Sequence, residues 1–185
     1  NNNKRLAGSV FSEVTQSHYA ETPDVDDINQ FKQMFNSIQG LVSSNKILAL
    51  HDVSDGGLIT SLIEMAFTKK VGFDLCIEDL DKDNLNHSLF AEEIGLVIQV
   101  DEENVDEVIA IASDNNLIAQ IIGNVSSSQN ITISNAASQL YEESVTVLEK
   151  GWREVSHAIQ SLRDNKAIAD SELNLLEDKE YSGLY

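Results

Sequence analysis

Between residues 47 and 122 the apolar pattern switches repeatedly between strand-like and helical periods, and that constrains the fold most. Ile47-Leu48-Ala49-Leu50 is a continuous apolar run and reads as a buried strand. Leu58, Ile59, Leu62, Ile63 and Ala66 recur at helical spacing. Val71, Phe73, Leu75 and Ile77 alternate, as in a half-buried strand. A strand at Leu96–Val100, a helix lined by Val105, Val108, Ile109 and Ala112, and a strand at 117–122 follow. The order strand, helix, strand, strand, helix, strand predicts an α+β fold. Its core is ferredoxin-like, βαββαβ, with a mixed sheet and extra helices. Leu85 to Phe90 reads as one short helix among the extras.

Flanking elements complete the outline. Val25, Ile28, Phe31, Phe35, Ile38 and Val42 predict a first helix, with Thr22-Pro23-Asp24 at its start. Ile131 and Ile133, then Leu140 and Val145, suggest added short strands. Leu148, Trp152, Val155, Ile159 and Leu162 form a helical stripe expected to dock on the core, with Trp152 as its anchor. The expected organisation is an N-terminal segment over 1–22, a domain over 23–164, and an acidic tail or linker over 165–185.

The net charge of −19 disfavours contact with nucleic acid or anionic membranes over most of the surface. A phosphorylated ligand therefore needs a metal ion or a local basic partner. The lone cysteine, Cys76, cannot form an intrachain disulfide, which fits a reducing compartment. On its strand it reads as small packing rather than as a nucleophile. No apolar stretch is long enough to span a membrane.

The chemistry concentrates in His51-Asp52-Val53-Ser54-Asp55-Gly56-Gly57-Leu58, between the apolar run and the next helix. A strand that ends in oxygen donors and turns through glycines into a helix can present ligands beside backbone N–H groups. Strand alternation puts His51 and Asp52 on opposite faces, which argues against a Ser-His-Asp triad. A calcium loop fails because its twelfth position would be Ile63. Two readings remain. In one, Ser54 or Asp55 caps the helix and the glycines make the turn. In the other, Asp52 gives a hard oxygen to Mg²⁺ while Ser54 or nearby N–H groups hold phosphate. Glu92-Glu93 could place a carboxylate at the sheet edge, but reads better as a solvated pair or a helix-end charge.

This motif, with Glu64-Met65-Ala66-Phe67, resembles the phosphoribosylformylglycinamidine synthase family. So do Leu89-Phe90-Ala91-Glu92-Glu93-Ile94-Gly95, Val97-Ile98-Gln99-Val100, and Trp152 with Leu162-Arg163-Asp164-Asn165. The Leu6-Ala7-Gly8-Ser9 opening fits as well. The resemblance runs in order through most of the chain. It is strongest to the second aminoimidazole-ribonucleotide-synthetase-like (AIR-synthetase-like) C-terminal domain of the large single-chain form.

The resemblance implies a cytoplasmic purine-biosynthetic ligase that uses ATP and takes ammonia from glutamine to amidate formylglycinamide ribonucleotide. It makes Asp52 a Mg²⁺ ligand and Ser54 an ATP/ADP contact, and leaves Gly56 and Gly57 as turn residues. It names no catalytic residue in this stretch. It implies two companions, a preceding nucleotide-binding domain and a following glutaminase domain, without which no turnover is expected. Two alternatives stand beside it: another ATP-using member of the AIR synthetase superfamily, and a structural or interaction domain with no ligand.

Overall fold

The computed structural model describes residues 3–77, 85–135 and 137–178. The outer ends of the expected N-terminal segment and tail, residues 1–2 and 179–185, lie outside the described residues. The chain divides into two compact units interleaved in sequence. One comprises residues 1–65 with 76–122, the other residues 66–75 with 123–185.

The first unit contains α1 (Val10–Val14), α2 (Ile28–Ser43), β1 (Ala49–Asp52), most of α3 (Gly57–Phe67), α4 (Leu85–Phe90), β3 (Leu96–Gln99) and α5 (Val105–Asp114). β1 and β3 pair antiparallel, with Ala49 opposite Gln99 and Asp52 opposite Leu96. Two flanking bonds extend the ladder: Leu48 N–H donates to the Gln99 carbonyl (2.8 Å) and Val53 N–H to the Gly95 carbonyl (3.0 Å). The second bond carries the pairing past the last strand residue into the 51–58 motif.

Leu6, Leu41, Ile59, Leu89, Val97 and Val108 are buried in this unit. Leu6 is only 1% exposed and Ser9 is buried too, so the chain around Leu6–Ser9 is packed into the unit. α2 starts at Ile28, not Val25, because Asp27 is the cap. Its carboxylate accepts from the N–H groups of Asn29 (2.8 Å) and Gln30 (3.2 Å). The run at 47–50, expected to be buried, has one open face: Leu48 and Leu50 are exposed.

The second unit holds β2 (Gly72–Cys76), β4 (Gly123–Ser126), β5 (Asn130–Ser134), β6 (Gln139–Ser144), α6 (Val145–Arg163) and α7 (Lys166–Asn174). The sheet order is β4-β2-β5-β6, a mixed four-stranded sheet. β2 with β4, and β5 with β6, run antiparallel. The fold is therefore α+β, as the element order predicts. The strand expected at 117–122 is displaced to Gly123–Ser126. Ile118 and Ile121 are exposed instead, and the Ile122 carbonyl accepts a hydrogen bond from Cys76 N–H (3.0 Å).

Two expectations about the last helix fail. Val145 is not in a strand; it opens α6, capped by Ser144, whose side chain accepts from Val147 N–H at 3.2 Å. The side of α6 that is buried is Val145 and Glu149, not the apolar stripe. Trp152 meets Phe67 with the rings tilted at 60° (centroids 5.8 Å) yet stays exposed. Val155, Ile159 and Leu162 are more exposed still, Leu162 at 90%. Beyond it, residues 166–177 are helical where a tail is expected. Ala169 is buried, and His157 Nε2 lies 3.0 Å from Asp170 Oδ1.

Candidate functional site at the end of the first strand

β1 ends at Asp52, and the chain turns through Ser54–Gly56 into α3. The turn needs two consecutive glycines. Gly56 and Gly57 have φ of +83° and +73°, in the left-handed region that side-chain-bearing residues enter at a cost. A Cβ on Gly57 would sit 2.6 Å from the Phe90 carbonyl carbon, so α4 closes directly on the turn. Expected as turn residues, both glycines fill that place.

Neither Ser54 nor Asp55 caps α3: among the described residues, no side-chain hydrogen bond comes from either. The turn is closed from elsewhere. Gly56 N–H donates to Glu92 Oε1 (2.8 Å), and Gly57 N–H donates to the Ser54 carbonyl (2.9 Å). These two amides are therefore already used and do not serve a phosphate, which removes part of the anion-binding reading. What the turn leaves open is side-chain oxygen. Strand alternation turns Asp52 to the same open face as Leu50 and His51 to the other. The Asp52 side chain is 75% exposed. Ser54, two residues on, is half-buried.

His51 is not an isolated surface residue. Its Nδ1 donates to the Asp52 carbonyl (2.6 Å), and its Nε2 lies 3.2 Å from Glu64 Oε2 on α3. Buried Ser61, one turn earlier on α3, also donates to the Asp52 carbonyl (3.0 Å) and shares its proton with the Gly57 carbonyl (3.1 Å). Sequence reasoning missed Ser61 and Glu64. Their spacing of three on one helix face was the available signal.

The Glu92-Glu93 pair is bound within the unit, with Glu93 buried and Glu92 half-buried. Glu92 Oε1 accepts from Gly56 N–H and from Val10 N–H (2.9 Å). Glu93 is buried and bound by Arg5: Nε to Oε1 at 2.7 Å, a terminal nitrogen to Oε2 at 2.8 Å, and Arg5 N–H to Oε1 at 3.0 Å. Burial alone would push the Glu93 carboxyl up. The hydrogen bonds and charge of Arg5 outweigh that and hold it below the ordinary carboxylate range.

Mg²⁺ keeps several waters and is commonly held by one or two carboxylates together with substrate phosphates. Asp52 offers one exposed carboxylate of that kind, two residues before Ser54 in the chain. Among the described residues no cluster of three or more histidine, cysteine or carboxylate side chains forms a self-sufficient metal cage. No helix among them is long and apolar enough to cross a membrane.

Residues 2–134 match the family described as AIR synthase related protein, C-terminal domain. Solved structures with a similar fold come from Thermotoga maritima. PurL complexed with ATP superposes with a TM-score of 0.59 at 12% identity, covering 68% of this chain and 23% of that one. Phosphoribosylformylglycinamidine synthase II gives 0.60 at 12% identity, covering 66% and 22%. The PurLQS structure gives 0.59 at 13% identity, covering 75% and 24%. The chain thus spans about a quarter of the length of these relatives.

Proposed function

This chain belongs to the family of AIR synthase related C-terminal domains, and from that premise we propose that it contributes one wall of a Mg·ATP/ADP site in a phosphoribosylformylglycinamidine synthase. Asp52 binds Mg²⁺ and Ser54 contacts the nucleotide. The observation that carries this is the contrast at the turn. Its amides at Gly56 and Gly57 are used internally, while the Asp52 carboxylate is left facing solvent.

When bound, Mg²⁺ would screen the repulsion between a carboxylate and a phosphate chain on this strongly acidic protein. The residues of this chain do the rest by position. Asp52 offers one oxygen ligand from a strand end fixed by the β1–β3 ladder, and the Ser54 hydroxyl lies two residues on to hydrogen-bond a phosphate oxygen. Two further observations support the reading. One of the similar folds is a protein solved with ATP. The open face of β1 also sets exposed Leu48 and Leu50 alongside Asp52, an apolar surface suited to being covered.

The companions in this reading are a nucleotide-binding AIR-synthetase-like domain and a glutaminase domain of the same cytoplasmic enzyme, and the domain alone turns nothing over. In the full-length protein, Asp52→Ala and Ser54→Ala are expected to lower nucleotide content and glutamine-dependent amidation. Unchanged nucleotide content and activity in both variants would leave only the structural role of the turn.

A further inference from the structure

We propose that Ser61, His51 and Glu64 act as positioning residues that hold the main chain of Asp52 so that its carboxylate meets the metal in a fixed place. The inference rests on the reading of Asp52 as a Mg²⁺ ligand and adds residues that reading does not require.

The Asp52 carbonyl oxygen accepts two hydrogen bonds, from Ser61 Oγ at 3.0 Å and from His51 Nδ1 at 2.6 Å. The far side of the same imidazole lies 3.2 Å from Glu64 Oε2. Ser61 and Glu64 are three residues apart on α3 and so share a helix face. Both routes to the carbonyl therefore start from one rigid element. The Asp52 side chain takes no such restraint among the described residues: its carboxylate comes to 3.8 Å from His51 Nδ1, beyond hydrogen-bonding range. The peptide is pinned and the ligand arm is free.

Helix stability does not require this arrangement. Ser61 already satisfies its hydroxyl on the Gly57 carbonyl one turn back (3.1 Å), so its second acceptor, Asp52, is extra. Glu64 is a three-quarters-buried carboxylate and the one charged side chain of α3, and it is set against the His51 ring rather than turned fully to water. A metal ligand gains from such support because its oxygen must be held to within about half an ångström.

The test uses the full-length protein and reads the Mg²⁺ concentration for half-maximal ATP-dependent activity, together with the melting temperature. Loss of an outer-shell partner weakens metal binding by about 10–100-fold. Glu64→Ala is expected to raise the half-saturating Mg²⁺ at least about 10-fold. Glu64→Gln, whose amide reaches the same ring nitrogen, is expected to restore it to within about threefold of the parent. Ser61→Ala should shift it in the same direction as Glu64→Ala. If Glu64→Ala does not fold, Glu64→Met fills the same volume and carries the same expectation. A shift below about twofold in Glu64→Ala, or a fall in melting temperature and activity at unchanged Mg²⁺ dependence, overturns the positioning role. Asp52→Asn, run alongside, separates the two ideas: if it abolishes Mg²⁺ dependence while Glu64→Ala does not shift it, only the positioning proposal fails. If Asp52→Asn also changes nothing, the metal reading itself fails.

Discussion

Two acidic stretches of the first unit meet at one glycine turn and are used in opposite ways. Glu92 and Glu93 spend their oxygens on the protein: Glu92 on the amides of Gly56 and Val10, Glu93 on Arg5. Asp52 spends its carbonyl on the protein and leaves its carboxylate in water. The difference teaches how to sort carboxylates in an acidic chain. Local charge density does not separate them. Whether the lone pairs already have donors within the protein does, because a carboxylate that satisfies such N–H groups cannot be withdrawn to bind a metal without leaving those groups unpaired.

The comparison can be broken or sharpened by substitution. The largest effect is expected at the turn that both stretches share. Gly57→Ala places a side chain at φ +73° against the Phe90 backbone and should cost about 2–4 kcal/mol, read by urea denaturation. A tolerated alanine would mean that α4 does not close on the turn as described.

Glu93→Gln comes next, at about 2–3 kcal/mol, since it removes the charge that Arg5 binds in a buried setting. It also carries a pH signature. The folded-state value of Glu93 is depressed, so the unfolded chain takes up the proton first. Its contribution is complete above the ordinary glutamate value of about 4.3 and is lost as pH falls through the folded value. Denaturation midpoints measured from pH 6 downward should fall less steeply in Glu93→Gln than in the parent. Equal slopes would show that Arg5 does not hold the charge.

A smaller loss, about 1–2 kcal/mol, is expected for Glu92→Ala, which leaves the Gly56 and Val10 amides without their acceptor. Hydrogen exchange at Gly56 should rise with it. Asp52→Asn should change stability least, by no more than about 0.5 kcal/mol, because its exposed side chain makes only a long, 3.8 Å contact with His51 among the described residues.

The strand–turn–helix was legible because an apolar run, two adjacent glycines and a helical stripe follow one another directly. Alternation alone placed Asp52 and His51 on opposite faces. The role of Glu92 and Glu93 was not legible, since Arg5 and Val10 stand more than 80 residues away in sequence. No local pattern brings such partners together. Periodicity also identified α6 but misjudged what it buries. The stripe of Val155, Ile159 and Leu162 has the right spacing for a packed face, yet Val145 and Glu149 are the residues turned inward. A repeat reports that one side of a helix is apolar, not what lies opposite it. The strand expected at 117–122 fails for the same reason: Ile118 and Ile121 are apolar and exposed.

The most direct measurement compares Asp52→Asn with Glu93→Gln in the full-length protein, recording melting temperature and Mg·ATP affinity for each. Asp52→Asn should melt with the parent and lose Mg·ATP binding, while Glu93→Gln should melt lower and still bind at temperatures where it is folded. An Asp52→Asn protein that melts lower and binds Mg·ATP as the parent does would contradict the division between structural and ligand-facing carboxylates.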